Sequence, residues 1–295
     1  MKQRKQNYQI LIALLLLAAM LIAMNHRAAS VERQAPKTES AQTSVEGQET
    51  GAEGGALRGS AAKIKSLELP VGGTDIVLQR HGFTTGYNPN TRCPQWTAWT
   101  LTSDHTTGPY KRQGISYHED TDVPTPRATN SDYMRSGYDR GHMCPSGDNK
   151  WSREAQQDCF LFTNMCPQSH NLNGGDWNEL EMKCRTWAKR YDAVYIVCGP
   201  WFRHDTKPKT IGRNKVAVPD GFWKVVLRVG RRGSKDKSNT AAIGFYYDNE
   251  DGHQPLSAYV RTVDEIEQLT GLDFFSQLDD KTETEAEARA SLSEW

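Results

Sequence analysis

Apolar and polar positions alternate in recognisable blocks from residue 95 onward. Five runs rich in Val, Ile, Phe, Tyr and Trp predict strands: Gln95–Thr102, Cys159–Asn164, Ala193–Cys198, Trp223–Val229 and Ala241–Tyr247. Elsewhere the period changes. From about Gly175 to Tyr191 the residues Trp177, Leu180, Cys184, Trp187, Ala188 and Tyr191 recur at helical spacing and share one face. A second helix is predicted to start at Thr262, where Thr262 and Glu265 make a T-x-x-E capping box. Strands and helices in no regular alternation predict the α+β class.

The same pattern sets the boundaries. A folded domain is expected over residues 67–278. Residues 25–66 are rich in Ser, Thr, Gln, Glu, Gly and Ala and lack aromatics, so they bury too little to order themselves and read as a tether. Residues 279–295 are acidic and are expected to fray or to form a loose helix. At the other end, Lys2, Arg4 and Lys5 precede the unbroken apolar run Ile10–Met24, a basic n-region followed by an h-region. A run of 15 residues is short for a membrane span, which needs about 17–25. That length suits a cleaved signal, but Asn25-His26-Arg27-Ala28-Ala29 offers no clean small-x-small site. Residues 1–24 are therefore either a signal peptide or a retained signal anchor. Both predict an exported protein, whether periplasmic, membrane-anchored or secreted. No cysteine lies near the segment, which argues against an acylated lipoprotein anchor.

Composition adds little until it is resolved along the chain. Mean hydropathy is −0.72 and 37% of residues are hydrophobic, as expected of a soluble body. The formal net charge of zero hides an asymmetry. Lys183 to Lys237 carries 15 basic and 4 acidic residues, whereas Asp248 to Trp295 carries 13 acidic and 3 basic ones. A basic stretch is the footprint of phosphate binding, or else an ordinary solvated surface. The six cysteines, Cys93, Cys144, Cys159, Cys166, Cys184 and Cys198, are compatible with disulfides in an oxidising compartment. The absence of a C-x-x-C pair weighs against zinc.

Chemistry concentrates between Tyr138 and Arg185. Phosphodiester hydrolysis needs an activated water, a cation on the developing charge and a protonated leaving oxygen. His142 ends the run Asp139-Arg140-Gly141-His142, in which glycine permits close backbone approach and arginine can grip a phosphate. Asn173 presents a neutral oxygen before a helix, as an N-cap or as a ligand. A single amide oxygen suits magnesium, which keeps most of its waters. Glu181, eight residues on, stands about 12 Å along a helix and reaches such an ion through a water; its plain alternative is a surface carboxylate.

Three ordered blocks, Asp139-Arg140-Gly141-His142, Asn164-Met165-Cys166-Pro167-Gln168 and Leu172-Asn173-Gly174-Gly175-Asp176-Trp177-Asn178-Glu179-Leu180-Glu181, resemble the DNA/RNA non-specific endonuclease family of ββα-metal nucleases. The resemblance implies a central, mainly antiparallel sheet flanked by helices. It also implies hydrolysis of DNA and RNA without strict sequence specificity, with Mg2+ or a substitute such as Mn2+. It gives His142 the role of general base and Asn173 that of metal ligand, with Glu181 behind it. Arg140 and Arg185 would contact substrate phosphates, Asp139 would join them, and Asn164 would help shape the site. An upstream arginine would stabilise the transition state; Arg112 is the candidate, with Lys111 beside it. For Arg185 the plain alternative is an i,i+4 ion pair with Glu181. The family's members are often dimers, so a homodimer is a further expectation, as is membrane contact through an uncleaved N-terminus.

Two other functions compete: a non-catalytic nucleic-acid-binding module, and an esterase or phosphatase acting on small molecules. The first would dispense with the base. The second needs no wide basic stretch, and the sequence has no G-x-S-x-G. Finally, Cys144 and Cys166 each follow a proposed site residue by two positions within Met-Cys-Pro. If the two segments converge, either a Cys144–Cys166 disulfide clamps them or two small thiols are buried there.

Overall fold

The computed structural model describes residues 67–230, 240–250 and 252–295. The expected signal segment, the expected tether and part of the basic stretch lie outside them. In chain order come β1 (Val77–Gln79), β2 (Thr84–Asn88), β3 (Cys93–Thr102), α1 (Asn130–Tyr133), β4 (Asp139–His142) and α2 (Arg153–Asp158). β5 (Met165–Gln168), α3 (His170–Gly174), α4 (Asp176–Tyr191) and β6 (Ala193–Trp201) follow. β7 (Thr210–Ile211), β8 (Val216–Ala217), β9 (Gly221–Arg228), β10 (Ala241–Asp248), β11 (Val260–Arg261), α5 (Val263–Thr270) and α6 (Asp280–Glu287) complete the described residues.

Seven strands form one sheet in the order β1-β2-β3-β6-β9-β10-β11, with every neighbouring pair antiparallel. Period-two alternation in its middle strands fills two cores. Val194, Ile196 and Cys198 of β6 face one core, while Tyr195 and Val197 face the other. The second core is covered by α5, which approaches so closely that a Cβ on Gly244 would lie 2.8 Å from the Thr262 carbonyl oxygen. The first core receives Trp177, Leu180, Cys184 and Trp187, the apolar face of α4. Between β3 and β6 the chain leaves the sheet, pairs β4 with β5 antiparallel and runs through α3 into α4. That strand–strand–helix excursion carries all three sequence blocks.

The antiparallel sheet and both predicted helices agree with the sequence, down to the capping box in which the Thr262 hydroxyl accepts from the Glu265 N–H. One expectation needs correction. The run Cys159–Asn164 is not a strand: Cys159 caps α2, Phe162–Asn164 is a 3-10 turn, and β5 begins at Met165. A short apolar run is equally satisfied by burial as a turn, and here the Asn164 side chain captures the backbone groups a ladder would have used. Residues 279–295, expected to fray or to form a loose helix, contain a helix and pack on the domain. α6 forms with Asp279 as its N-cap. Trp295 is only 8% exposed, its ring 4.8 Å from that of Trp187, while Arg228 and Arg190 donate to the Glu294 and Trp295 carbonyls. Acidic composition hid these few apolar anchors. Among the described residues no helix is long and apolar enough to cross a membrane.

Candidate active site

β4 and β5 bring the blocks together. His142 lies opposite Met165 and Gly141 opposite Cys166. Gly141 is required where it stands, because an added Cβ would run into the Gln168 side chain. Asn164 ties the end of β4 to the start of β5: its Oδ1 accepts from the Cys144 N–H at 2.9 Å, and its Nδ2 donates to the carbonyls of Cys144 and Cys159. Fully buried, Asn164 shapes the site as a brace between the two strands. α4 is pinned to the same strand by Trp177, whose indole donates to the His142 carbonyl.

These elements surround an open cleft of about 750 Å³ lined by His142, Asn173, Glu181, Arg112, Arg140 and Arg185 among others. The His142 ring packs edge-on against Phe160 and near Tyr117. Burial, and then the nearby Arg112 charge, push its pKa down to about 3, so the imidazole is neutral. Its Nε2 has no hydrogen-bond partner. The contact with the Arg140 backbone favours the protonated ring and therefore falls to Nδ1.

Also lining the cleft, Asn173 donates from Nδ2 to Asp139 at 2.9 Å, which turns its oxygen away from that carboxylate. Asp139 also accepts from or pairs with His170 at 2.9 Å. In this structure it orients Asn173. Glu181 is held by Arg185 at 3.1 Å, and burial raises it to about 7 against the pull of Lys224 and Arg185. Asn173 and Glu181 offer hard oxygens on one cleft, one neutral and one ionisable. This donor set fits a magnesium-type ion that keeps most of its waters.

Arg185 also pairs with buried Asp148 at 2.7 Å, and Asp148 in turn accepts from the Trp99 indole. The i,i+4 pairing is thus real, and Arg185 spends its charge on two carboxylates while lining the cleft. Gly147 makes room for it, since a side chain there would strike the guanidinium. Arg112 stacks over Phe160 and Arg140 over Tyr117 and Tyr133, both on the cleft, and Arg140 donates to Asn130. Lys111 and Lys150 join them. Of the long basic stretch Lys183–Lys237, Arg185 alone among the described residues reaches this cleft; Lys224 is buried against Trp177 and Trp99. The positive lining is assembled from scattered residues.

Sequence reasoning missed Asp148 and Lys224, the buried charges beneath Glu181. The alternation Phe222-Trp223-Lys224-Val225-Val226 was the available signal: a lysine on the apolar face of a strand demands a partner. The proposed Cys144–Cys166 clamp is absent. All six cysteines are buried free thiols; Cys144 faces Asn149, whereas Cys166 faces Cys93.

Known proteins resemble this chain in sequence and fold. The profile of the DNA/RNA non-specific endonuclease family matches residues 60–281. The mitochondrial nuclease EXOG of Xenopus laevis is 37% identical over 232 residues, covering 73% of this chain and 62% of that protein. Mitochondrial endonuclease G of Bos taurus is 33% identical, covering 73% and 74%, and nuclease C1 of Cunninghamella echinulata var. echinulata is 34% identical, covering 70% and 84%. The chain thus spans just under two thirds of the EXOG relatives' length. Among solved structures, a chain of the EndoG/EndoGI complex superposes with a TM-score of 0.67 at 29% identity, covering 75% of this chain and 94% of that one. With three quarters of its length matched by one family profile, and its first and third motif blocks lining one cleft that the second block braces, the chain belongs to the DNA/RNA non-specific endonuclease family.

Proposed function

We propose that this protein is a metal-dependent endonuclease that hydrolyses phosphodiester bonds of DNA and RNA without strict sequence specificity. The observation that carries the reading is the convergence, on one cation-lined cleft, of a neutral histidine with an unpartnered nitrogen and an oriented amide oxygen. His142 Nε2 takes a proton from a water as that water's oxygen bonds to phosphorus and the P–O bond to the leaving oxygen breaks, the leaving oxygen taking a proton from solvent water. Arg112 and Arg140 face the phosphate and oppose the charge that grows on its oxygens. Asn173, oriented by Asp139, and Glu181 would hold Mg2+ between them, directly and through water. When bound, the ion supplies electrostatic stabilisation of the phosphorane and leaving-group charge. Because the cleft presents guanidinium and ammonium groups, it grips backbone phosphates and leaves base edges unread.

Plasmid and RNA incubated with the purified protein should both be degraded, and EDTA should stop the reaction. His142→Ala should cut about 10²–10⁴-fold more slowly with binding retained. Binding without cutting in the wild type would instead indicate a capture module. Turnover of small esters alone would indicate a phosphatase or esterase. We also read the N-terminal segment as an export signal, although several relatives are named as mitochondrial. Cell fractionation, with the protein found outside the cytoplasm, is the outcome expected.

A further inference from the structure

Away from the cleft, α5 and α6 meet through their acidic residues. Asp264 and Glu267 on α5 and Glu287 at the end of α6 each place a carboxylate oxygen within 4.8 Å of the others. Glu287 is 5% exposed, and its Oε1 is buried without a hydrogen-bond partner. Glu267 is fixed by the Phe274 N–H, which it accepts at 2.8 Å. The charges bearing most on Glu287 are all negative: Glu267, Glu283, Asp264 and Asp273. The ion pair on α6, Lys281 with Glu285, uses none of these residues.

Burying a carboxylate among carboxylates is costly unless a proton or a cation accompanies it. Oxygens at the roughly 2.3–2.6 Å usual for Ca2+ stand at most about 5.2 Å apart, a limit that three oxygens within 4.8 Å of one another meet. Mg2+ is the poorer fit, because it prefers one or two carboxylates and a rigid shell of waters. We propose that Asp264, Glu267 and Glu287 form a second divalent-cation site, of the calcium type, that clips the C-terminal helix α6 to α5. This site shares no residue with the cleft and does not depend on the nuclease reading.

The test uses the full chain with Asn173→Ala, so that the cleft's own metal requirement does not obscure the count. After treatment with EDTA and its removal, calorimetric titration with CaCl2 should show one bound Ca2+, and millimolar Ca2+ should raise the melting temperature by mass action. Adding Glu287→Gln should abolish both effects, and adding Asp264→Asn should weaken binding about tenfold or more. In EDTA the Glu287→Gln protein should be at least as stable as its parent, since one of the repelling charges is gone; this establishes that the variant folds. Absence of Ca2+ binding at millimolar concentration in the parent overturns the proposal and leaves a proton as the neutralising partner. A melting shift that survives Glu287→Gln unchanged overturns it as well.

Discussion

At the scale of single residues, the site depends on what holds each reacting group. Asp139 is half-exposed beside the cleft, yet its contacts are with Asn173 and His170. Asp139→Ala should therefore raise the Mg2+ concentration needed for half-maximal activity by about 10–100-fold while leaving the KM for nucleic acid little changed. A rise in KM at saturating Mg2+, with the metal requirement unaltered, would return Asp139 to the substrate. His142 makes a prediction about stability. Its folded pKa, about 3, lies below the ordinary histidine value, so the unfolded chain binds the extra proton first as pH falls. The native state accordingly loses stability between about pH 6.5 and 3, and the loss at pH 5 amounts to on the order of 1–2 kcal/mol. Urea unfolding in EDTA at pH 7 and pH 5 should show a larger drop for wild type than for His142→Gln. Equal drops would mean the imidazole is not held neutral by its surroundings.

At the scale of elements, the antiparallel pair β4–β5 and the helix α4 act as one unit because few but specific ties join them. Asn164 braces β4 to β5, the Trp177 indole reaches the His142 carbonyl, and Arg185 links α4 to Asp148. The C-terminal residues behave in the same way: a short acidic segment docks through one large ring. Trp295 packs against Trp187 and Tyr191, the back end of α4. Trp295→Ala should cost on the order of 2–4 kcal/mol by denaturant titration, without raising the Mg2+ requirement. A loss below about 0.5 kcal/mol, the level of an ordinary surface change, would mean the terminus does not stabilise the domain.

Across the whole molecule the charge balance is zero, yet the cleft is cationic. Lys111, Arg112, Arg140 and Lys150 line it without the two-carboxylate pairing that occupies Arg185. Duplex binding should then weaken with salt at a log–log slope of roughly −3 to −4, about 0.9 per phosphate engaged. Fluorescence anisotropy of a labelled duplex on catalytically impaired His142→Ala, titrated across KCl concentrations, measures the slope. A slope near zero would remove the cleft as the phosphate-binding surface.

What could be read from the sequence was what local pattern and motif order determine. The class, the antiparallel character of the sheet, helix α4, the start of α5 and the identity of His142, Asn173 and Glu181 as cleft residues follow from periodicity, capping chemistry and three ordered blocks, each confined to a few consecutive residues. What only the tertiary structure decided was partnership between distant residues. Asp139 serves Asn173, 34 positions away; Arg185 serves Asp148, 37 positions away. Asn164 is a brace because β4 and β5 close around it, and Lys224 is buried because alternation in β9 turns it under α4. The basic stretch that stood out by composition contributes one described residue to the cleft, since charge density along the chain does not fix which side chains share a surface. The physical reason is common to all of these. Hydrogen bonds and ion pairs need geometry within a few ångströms, and that geometry exists only after the sheet has brought remote segments side by side.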